Sequence, residues 1–186
     1  CLAVLVSALA AEAADETPGG PSGPVKVEVR REGDAFRLCR GGEPYIIRGA
    51  VYWSDPAGRW PLADLKACGG NSVRCGGGNV RRILDAAVPP GLTVTVGLHV
   101  KMEAVHGFDY EDPEAVRRQF DKVRARVLER KDHPALLMWG VGNELSMNYS
   151  NRRVWDAVND VAKMIRAEDP NHPAMTVIGT GSLKRG

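Results

Sequence analysis

KDHPALLMWGVGNEL, residues 131 to 145, is the stretch on which the reading of this chain turns. Ala135 to Trp139 is a short apolar run of the kind that forms a buried strand, and it passes through Gly140-Val141-Gly142 into Asn143 and Glu144. A carboxylate is thereby presented at the C-terminal end of a strand. Parallel α/β folds build their sites at that end, because the strand is held from both faces while the loop beyond it opens to ligand. Glu144 is the first candidate for a catalytic group.

The pattern on either side repeats strand and helix. Val25 to Arg30 and Ala35 to Cys39 alternate around Glu32-Gly33-Asp34, which predicts a hairpin, and Tyr45 to Tyr52 is a further extended run. Leu62 to Ala67 predicts a short helix stopped by Gly69-Gly70, followed by a strand at Asn71 to Arg74. Val80 to Ala87 predicts a helix closed by Pro89-Pro90-Gly91, before the β-branched run Leu92 to Val100. Asp112-Pro113 opens a helix with Val116, Phe120, Val123 and Val127 at helical spacing. Arg152 to Ala167 is a second long helix, and Ala174 to Ile178 the last strand. A hairpin followed by five strands that alternate with helices argues for a parallel sheet of right-handed βαβ units. That order fits an open doubly wound sheet or part of a (β/α)8 barrel.

Motifs narrow the choice. Gly76-Gly77-Gly78 lacks the G-x-x-G continuation of a dinucleotide loop, and no G-x-x-x-x-G-K-[ST], G-x-S-x-G or H-E-x-x-H occurs. With 44% hydrophobic and 26% charged residues in 186, the chain has the composition of a globular domain. A net charge of +2 with no dense basic tract argues against nucleic acid as a partner. Arg117, Arg118, Lys122, Arg124 and Arg126, interleaved with Asp121 and Glu129, read as a solvated helix face.

The first residues have the character of a processed leader. Leu2 to Ala10 is apolar, too short to span a bilayer, and followed by small-residue patterns suited to signal peptidase. We therefore expect a signal-peptide remnant at 1–14, a Pro/Gly-rich tether at 15–24 and export to the periplasm or extracellular space, with no membrane association after cleavage. Cys39, Cys68 and Cys75 lack the close pairing of a zinc site and read as buried free thiols.

The stretch at 131 to 145, together with NSVR at 71 to 74, GLTVTVGLHV at 91 to 100, HGFDY at 106 to 110 and DPNHPAMTVI at 169 to 178, resembles the catalytic barrel of glycoside hydrolase family 2 from about Glu43 onward. The resemblance implies a partial (β/α)8 barrel of about five βα units, with the hairpin at 25–40 and the barrel part at 43–186. It implies further that Glu144 is the general acid/base of a retaining glycosidase. By the same match Asn143 binds the sugar hydroxyl next to the reacting carbon, and Arg74 lines the floor of the site. The expected partner is a carbohydrate, and neither metal nor organic cofactor is expected.

Such chemistry needs a carboxyl that protonates a poor leaving-group oxygen while positive charge builds on the sugar ring. An apolar wall raises the pKa of such an acid, and Trp139 is a candidate for that wall. His99 and His106 are candidates to touch substrate, and Tyr52, Trp53 and Trp60 to stack on sugar faces. Each has a plainer alternative: a solvated loop carboxylate for Glu144, a core ion pair for Arg74, core positions for the histidines and aromatics. His133, before Pro134, reads as fixing a helix-to-strand turn. A retaining enzyme also needs a nucleophile roughly 5 Å from the acid. The resemblance puts it after strand seven, a barrel takes about 250 residues, and no residue here matches its motif. The expectation is a glycosidase fragment inactive alone, with a non-catalytic glycan-binding or degenerate barrel as the alternative.

Overall fold

In the computed structural model, which describes residues 22–53, 59–77, 79–147 and 149–179, two sheets share the chain. Strands β1 (Val27–Glu32), β2 (Ala35–Arg40) and β3 (Glu43–Pro44) form an antiparallel sheet in that order. Strands β4 (Gly49–Val51), β5 (Ser72–Cys75), β6 (Thr93–Leu98), β7 (Leu136–Val141) and β8 (Ala174–Met175) lie side by side in sequence order, every pair parallel. Helices α1 (Leu62–Ala67), α2 (Val80–Ala87), α3 (Glu103–His106), α4 (Pro113–Arg130) and α5 (Arg153–Glu168) come between them. This is the expected α/β architecture, a partial barrel whose strands have not met. The leader and residues 15–21 of the tether lie outside the described residues.

Local chemistry sets the helices. Asp112 caps α4 by accepting from the Glu114 and Ala115 N–H groups, and Pro113 occupies its first position, where a missing N–H costs nothing. Helix α2 turns Val80, Ile83, Leu84 and Ala87 inward, and α5 turns Val154, Ala157, Val161, Met164 and Ile165 the same way. They meet alternate sheet residues: Val73 and Cys75, then Val94, Val96 and Leu98, then Trp139 and Val141, in one apolar core. An irregularity of register between Val94 and Thr95 lets Leu136 join that core as well, although it is out of phase with Trp139.

The other face of the sheet carries Ser72, Arg74, Thr93, Thr95 and Gly97. Its lower part is closed by the antiparallel sheet. Val27 packs with Leu137 and Met138, joined by Leu38, Tyr45 and Met175. The Val27 N–H donates to the Asn171 carbonyl (2.7 Å), Arg40 donates to the Pro134 carbonyl (3.1 Å), and the Tyr45 hydroxyl donates to the Asn71 carbonyl (2.9 Å) beside Thr93 Oγ1. The hairpin therefore plugs the N-terminal end of the strands.

The run Tyr45 to Tyr52 is not one strand. The chain leaves the antiparallel sheet after Pro44 and enters the parallel one at Gly49, because the Asn71 side chain captures the Arg48 N–H (2.8 Å) and the Ile46 carbonyl (2.8 Å) between them. The final strand is paired over Ala174–Met175 only. β4 and β8 are the edges of the sheet. Large apolar side chains stand exposed near β4, with Ile46, Val51, Trp53 and Trp60 each more than half accessible, and Ile178 is exposed beyond β8.

Candidate active site

Strand β7 ends at Val141, and Gly142 turns the chain with a φ of 70°. Its N–H donates to the Leu98 carbonyl (3.0 Å), and a Cβ at this position would collide with the Leu145 side chain, so glycine is required. Glu144 follows with φ 51°, the one non-glycine residue of positive φ among the described residues. An L side chain in that region costs about 1–2 kcal/mol, so neighbouring contacts must hold it. The Glu144 N–H donates to the Val177 carbonyl (2.9 Å) and its carbonyl accepts from the Met147 N–H (2.9 Å). Thr176 Oγ1 donates to the Val141 carbonyl (2.8 Å), and the Gly179 N–H donates to Ser146 Oγ (2.9 Å). Glu144 is thus pinned between the C-terminal ends of β7 and β8.

Arg74 reaches across from β5, donating from Nη2 to Asn143 Oδ1 at 2.8 Å. A guanidinium can only donate, so the Asn143 oxygen is fixed toward it and the amide nitrogen is left as a donor for another partner. Arg74 Nε is buried and has no acceptor among the described residues. The expected alternative, an ion pair with a core carboxylate, is not found among the described residues. A cavity of about 210 Å³ opens here, and Trp53, Arg74, His99 and Asn143 all line it. Glu144 does not line that cavity; it stands one residue further on, half-buried toward β8.

The floor of the cavity is main chain. Gly76, just past β5, and Gly97 of β6 line it side by side, with Gly140 of β7 paired to Gly97 next in the row, and a Cβ on Gly97 would come within 3.1 Å of the Cys75 carbonyl oxygen. In sequence Gly76 reads only as part of a glycine run that lacks the dinucleotide-loop continuation. The adjacency of the three glycines lies across strands, where no local pattern reports it.

His99 is largely exposed and meets His106 edge to face at 5.0 Å between ring centres. Burial first, then the positive charges of His106, Arg126 and Lys101, holds its pKa below the ordinary histidine value. Neither Trp53 nor Trp60 is a core residue, whereas Tyr52 is partly buried against the core. His133 does fix its turn: Nδ1 accepts from the Ala135 N–H (3.2 Å), which leaves Nε2–H to donate to Asp85 (3.0 Å). Of the thiols, Cys39 and Cys75 are buried but Cys68 is exposed, against the expectation for all three. Burial pushes the Cys75 thiol up to about 12, so it is inert at neutral pH.

Trp139 is not a wall for Glu144. The pleat turns it to the helix side, fully buried, where its Nε1–H donates to Asp169 Oδ2 (2.7 Å). Asp169 is also bonded by His172 Nδ1 (2.9 Å) and the Asn171 N–H (3.0 Å). Burial alone would raise the Asp169 pKa; the hydrogen bonds from His172 and Trp139 outweigh it and hold the carboxyl below the ordinary range. Sequence reading missed this network, although the Asp169-Pro170-Asn171-His172 spacing that builds half of it was in view.

Among the described residues no group of three or more His, Cys, Asp or Glu side chains is placed to hold a metal ion, and no helix is long and apolar enough to cross a membrane.

The sequence profile of the glycosyl hydrolases family 2, TIM barrel domain, matches residues 86–181, just over half of the chain. Among solved structures, a Parabacteroides merdae β-glucuronidase with glycerol in its active site superposes with a TM-score of 0.61 at 19% identity, over 82% of this chain and 20% of that one. A glycosyl hydrolase family 2 member from Bacteroides cellulosilyticus gives 0.64 at 18% identity, over 83% and 21%. Saccharomyces cerevisiae Gas2p in complex with laminaripentaose gives 0.58 at 20%, over 86% and 42%. The chain therefore spans about a fifth of the length of these two bacterial proteins. These likenesses are of fold. No curated protein sequence matches this one.

Proposed function

This chain belongs to glycosyl hydrolase family 2 through that family's TIM-barrel domain, and from that premise we propose that it carries the acid/base half of a retaining glycosidase site. Glu144 protonates the departing glycosidic oxygen, then removes a proton from the water that releases the sugar. Asn143, its oxygen held by Arg74, donates from its amide to the hydroxyl beside the reacting carbon. Trp53 and His99 border the sugar, and the glycine floor lets the ring lie against main chain. The nucleophile belongs to the part of the barrel that would close between β8 and β4. The apolar side chains left exposed at those two edges support this reading. We also propose, from the leader alone, that the protein is exported.

The observation that carries the proposal is the positive φ of Glu144, next to an asparagine that an arginine orients. Backbone strain at a non-glycine residue persists where the surroundings over-determine it, and such positions cluster at functional sites. The test is leaving-group dependence in the full-length protein. Glu144→Ala should lower hydrolysis of glycosides with poor leaving groups by about 10²–10⁴-fold. Aryl glycosides whose leaving group needs no proton should lose far less in the glycosylation step. Equal losses on both substrate classes would remove Glu144 from the role of acid. The chain of residues 1–186 by itself should turn over neither.

A further inference from the structure

A second cavity, of about 470 Å³, adjoins the first and shares His99 and His106 with it. It runs along α4, from exposed Arg118 and Lys122 to buried Gln119 and Val123, and its charge is lopsided. Arg118, Lys122 and Arg126 repeat every fourth residue on one face of the helix and line it, together with Lys101 from the loop after β6. A row of basic residues on a helix is ordinarily a solvated face balanced by nearby acids, and part of α4 behaves that way. Arg117 pairs with Asp121 (3.9 Å), Arg124 with Glu168 (2.9 Å), and Arg118 with Glu114 (3.2 Å) and more distantly Asp112 (3.7 Å). Lys122, Arg126 and Lys101 have no carboxylate partner among the described residues; the Lys101 ammonium stands 5.2 Å from the Phe108 ring centre.

The acids in the lining do not balance them. Asp112 faces Arg118 (3.7 Å), so Asp109 is the one carboxylate left in the lining against Lys101, Lys122 and Arg126. Two of these cations, Arg126 and Lys101, lie close to His99, which both cavities share. His99 stands at that junction and feels Arg126 and Lys101 there, as the lowering of its pKa after partial burial reflects. A pocket lined by one sign of charge concentrates ligands of the other.

We infer that this cavity receives an anionic group, a carboxylate or a sulfate ester, on the sugar adjoining the one held at Asn143, so that the substrate class is an acidic glycan. The inference rests on the glycosidase reading for the place of that neighbouring sugar. It assigns Lys101, Lys122 and Arg126 as specificity residues that touch neither Glu144 nor the bond being cleaved.

The test uses the full-length protein and three tetrasaccharides in calorimetric titrations: chondroitin sulfate, its desulfated form, and the desulfated form with its carboxyls reduced. An anionic form should bind about tenfold tighter than the neutral one, several exposed charge pairs acting together. That preference should shrink as salt rises and vanish in Lys122→Gln/Arg126→Gln, which should hydrolyse neutral aryl glycosides as the parent does. A gain confined to the sulfated form identifies sulfate as the ligand; an equal gain for both anionic forms identifies carboxylate. Equal affinity for all three sugars, or a preference that survives in the double variant, overturns the inference and leaves the glycosidase reading standing. Failure to bind any of them also overturns it, while turnover of neutral aryl glycosides independently decides the enzyme question.

Discussion

The two ends of the parallel sheet are built on opposite terms. At the N-terminal end of the strands the hairpin covers the sheet, Tyr45 bonds to Asn71 and Thr93, and the turn before β8 is locked by Asp169, His172 and Trp139. At the C-terminal end the side chains retreat to glycine, a cavity opens beside Arg74, and Glu144 sits in a left-handed backbone conformation. The same strands are thus closed by packing and cross-linking hydrogen bonds at one end and carry an open cavity and backbone strain at the other. Parallel α/β folds separate stability from chemistry in this way.

The largest effect should come from the lower end. Removing Asp169 leaves His172 and the Trp139 indole buried without their partner, so Asp169→Ala should cost about 3–5 kcal/mol in urea unfolding; a cost below about 1 kcal/mol would erase the contrast. The pH dependence sharpens the same point. Because the folded Asp169 carboxyl titrates below its unfolded value of about 3.9, its contribution is fully present above that pH. It is lost as pH falls through the lower folded value, and Asp169→Asn should flatten this part of the acid unfolding curve. Tyr45→Phe, which strips the hydroxyl from Asn71 and Thr93, should cost about 1–2 kcal/mol.

At the upper end the sign should reverse. Glu144→Gly relieves the positive φ and should raise stability by up to about 1 kcal/mol, measured by the same unfolding assay, although activity falls. Asn143→Ala, at an exposed position, should shift stability by no more than about 0.5 kcal/mol while weakening transition-state binding. Were both upper variants as destabilised as Tyr45→Phe, the division of labour between the ends would be wrong.

Much of the scaffold was legible because its signals are local. Helices α1 and α2 begin and end where the apolar spacing and the following Gly or Pro residues say, and Asp112-Pro113 marks the start of α4 by its capping chemistry. The four-residue α3 is too short for any period to declare. The division of Tyr45 to Tyr52 into two sheets depends on Asn71, which no pattern within that run contains. The direction of Trp139 likewise follows from pairing with β6, so an apolar run alone left it free to be assigned to the wrong face. In the site, Arg74 and Asn143 lie 69 residues apart and were brought together on paper only by the family resemblance, as were the roles given to them. The second cavity escaped notice because α4 shows both paired and unpaired cations in one basic string, and only the partners' positions tell them apart.

The glycine row beneath the first cavity has a bearing on how such a protein diversifies. A floor made of backbone takes its contour from the fixed spacing of strands, and mutation at Gly97 is met at once by the Cys75 carbonyl. Selectivity must then be written into the rim, at exposed positions such as Trp53 and His99. A mutational library confined to that rim should yield new ligand preferences at little cost in foldability, whereas one aimed at the floor should return mostly damaged clones.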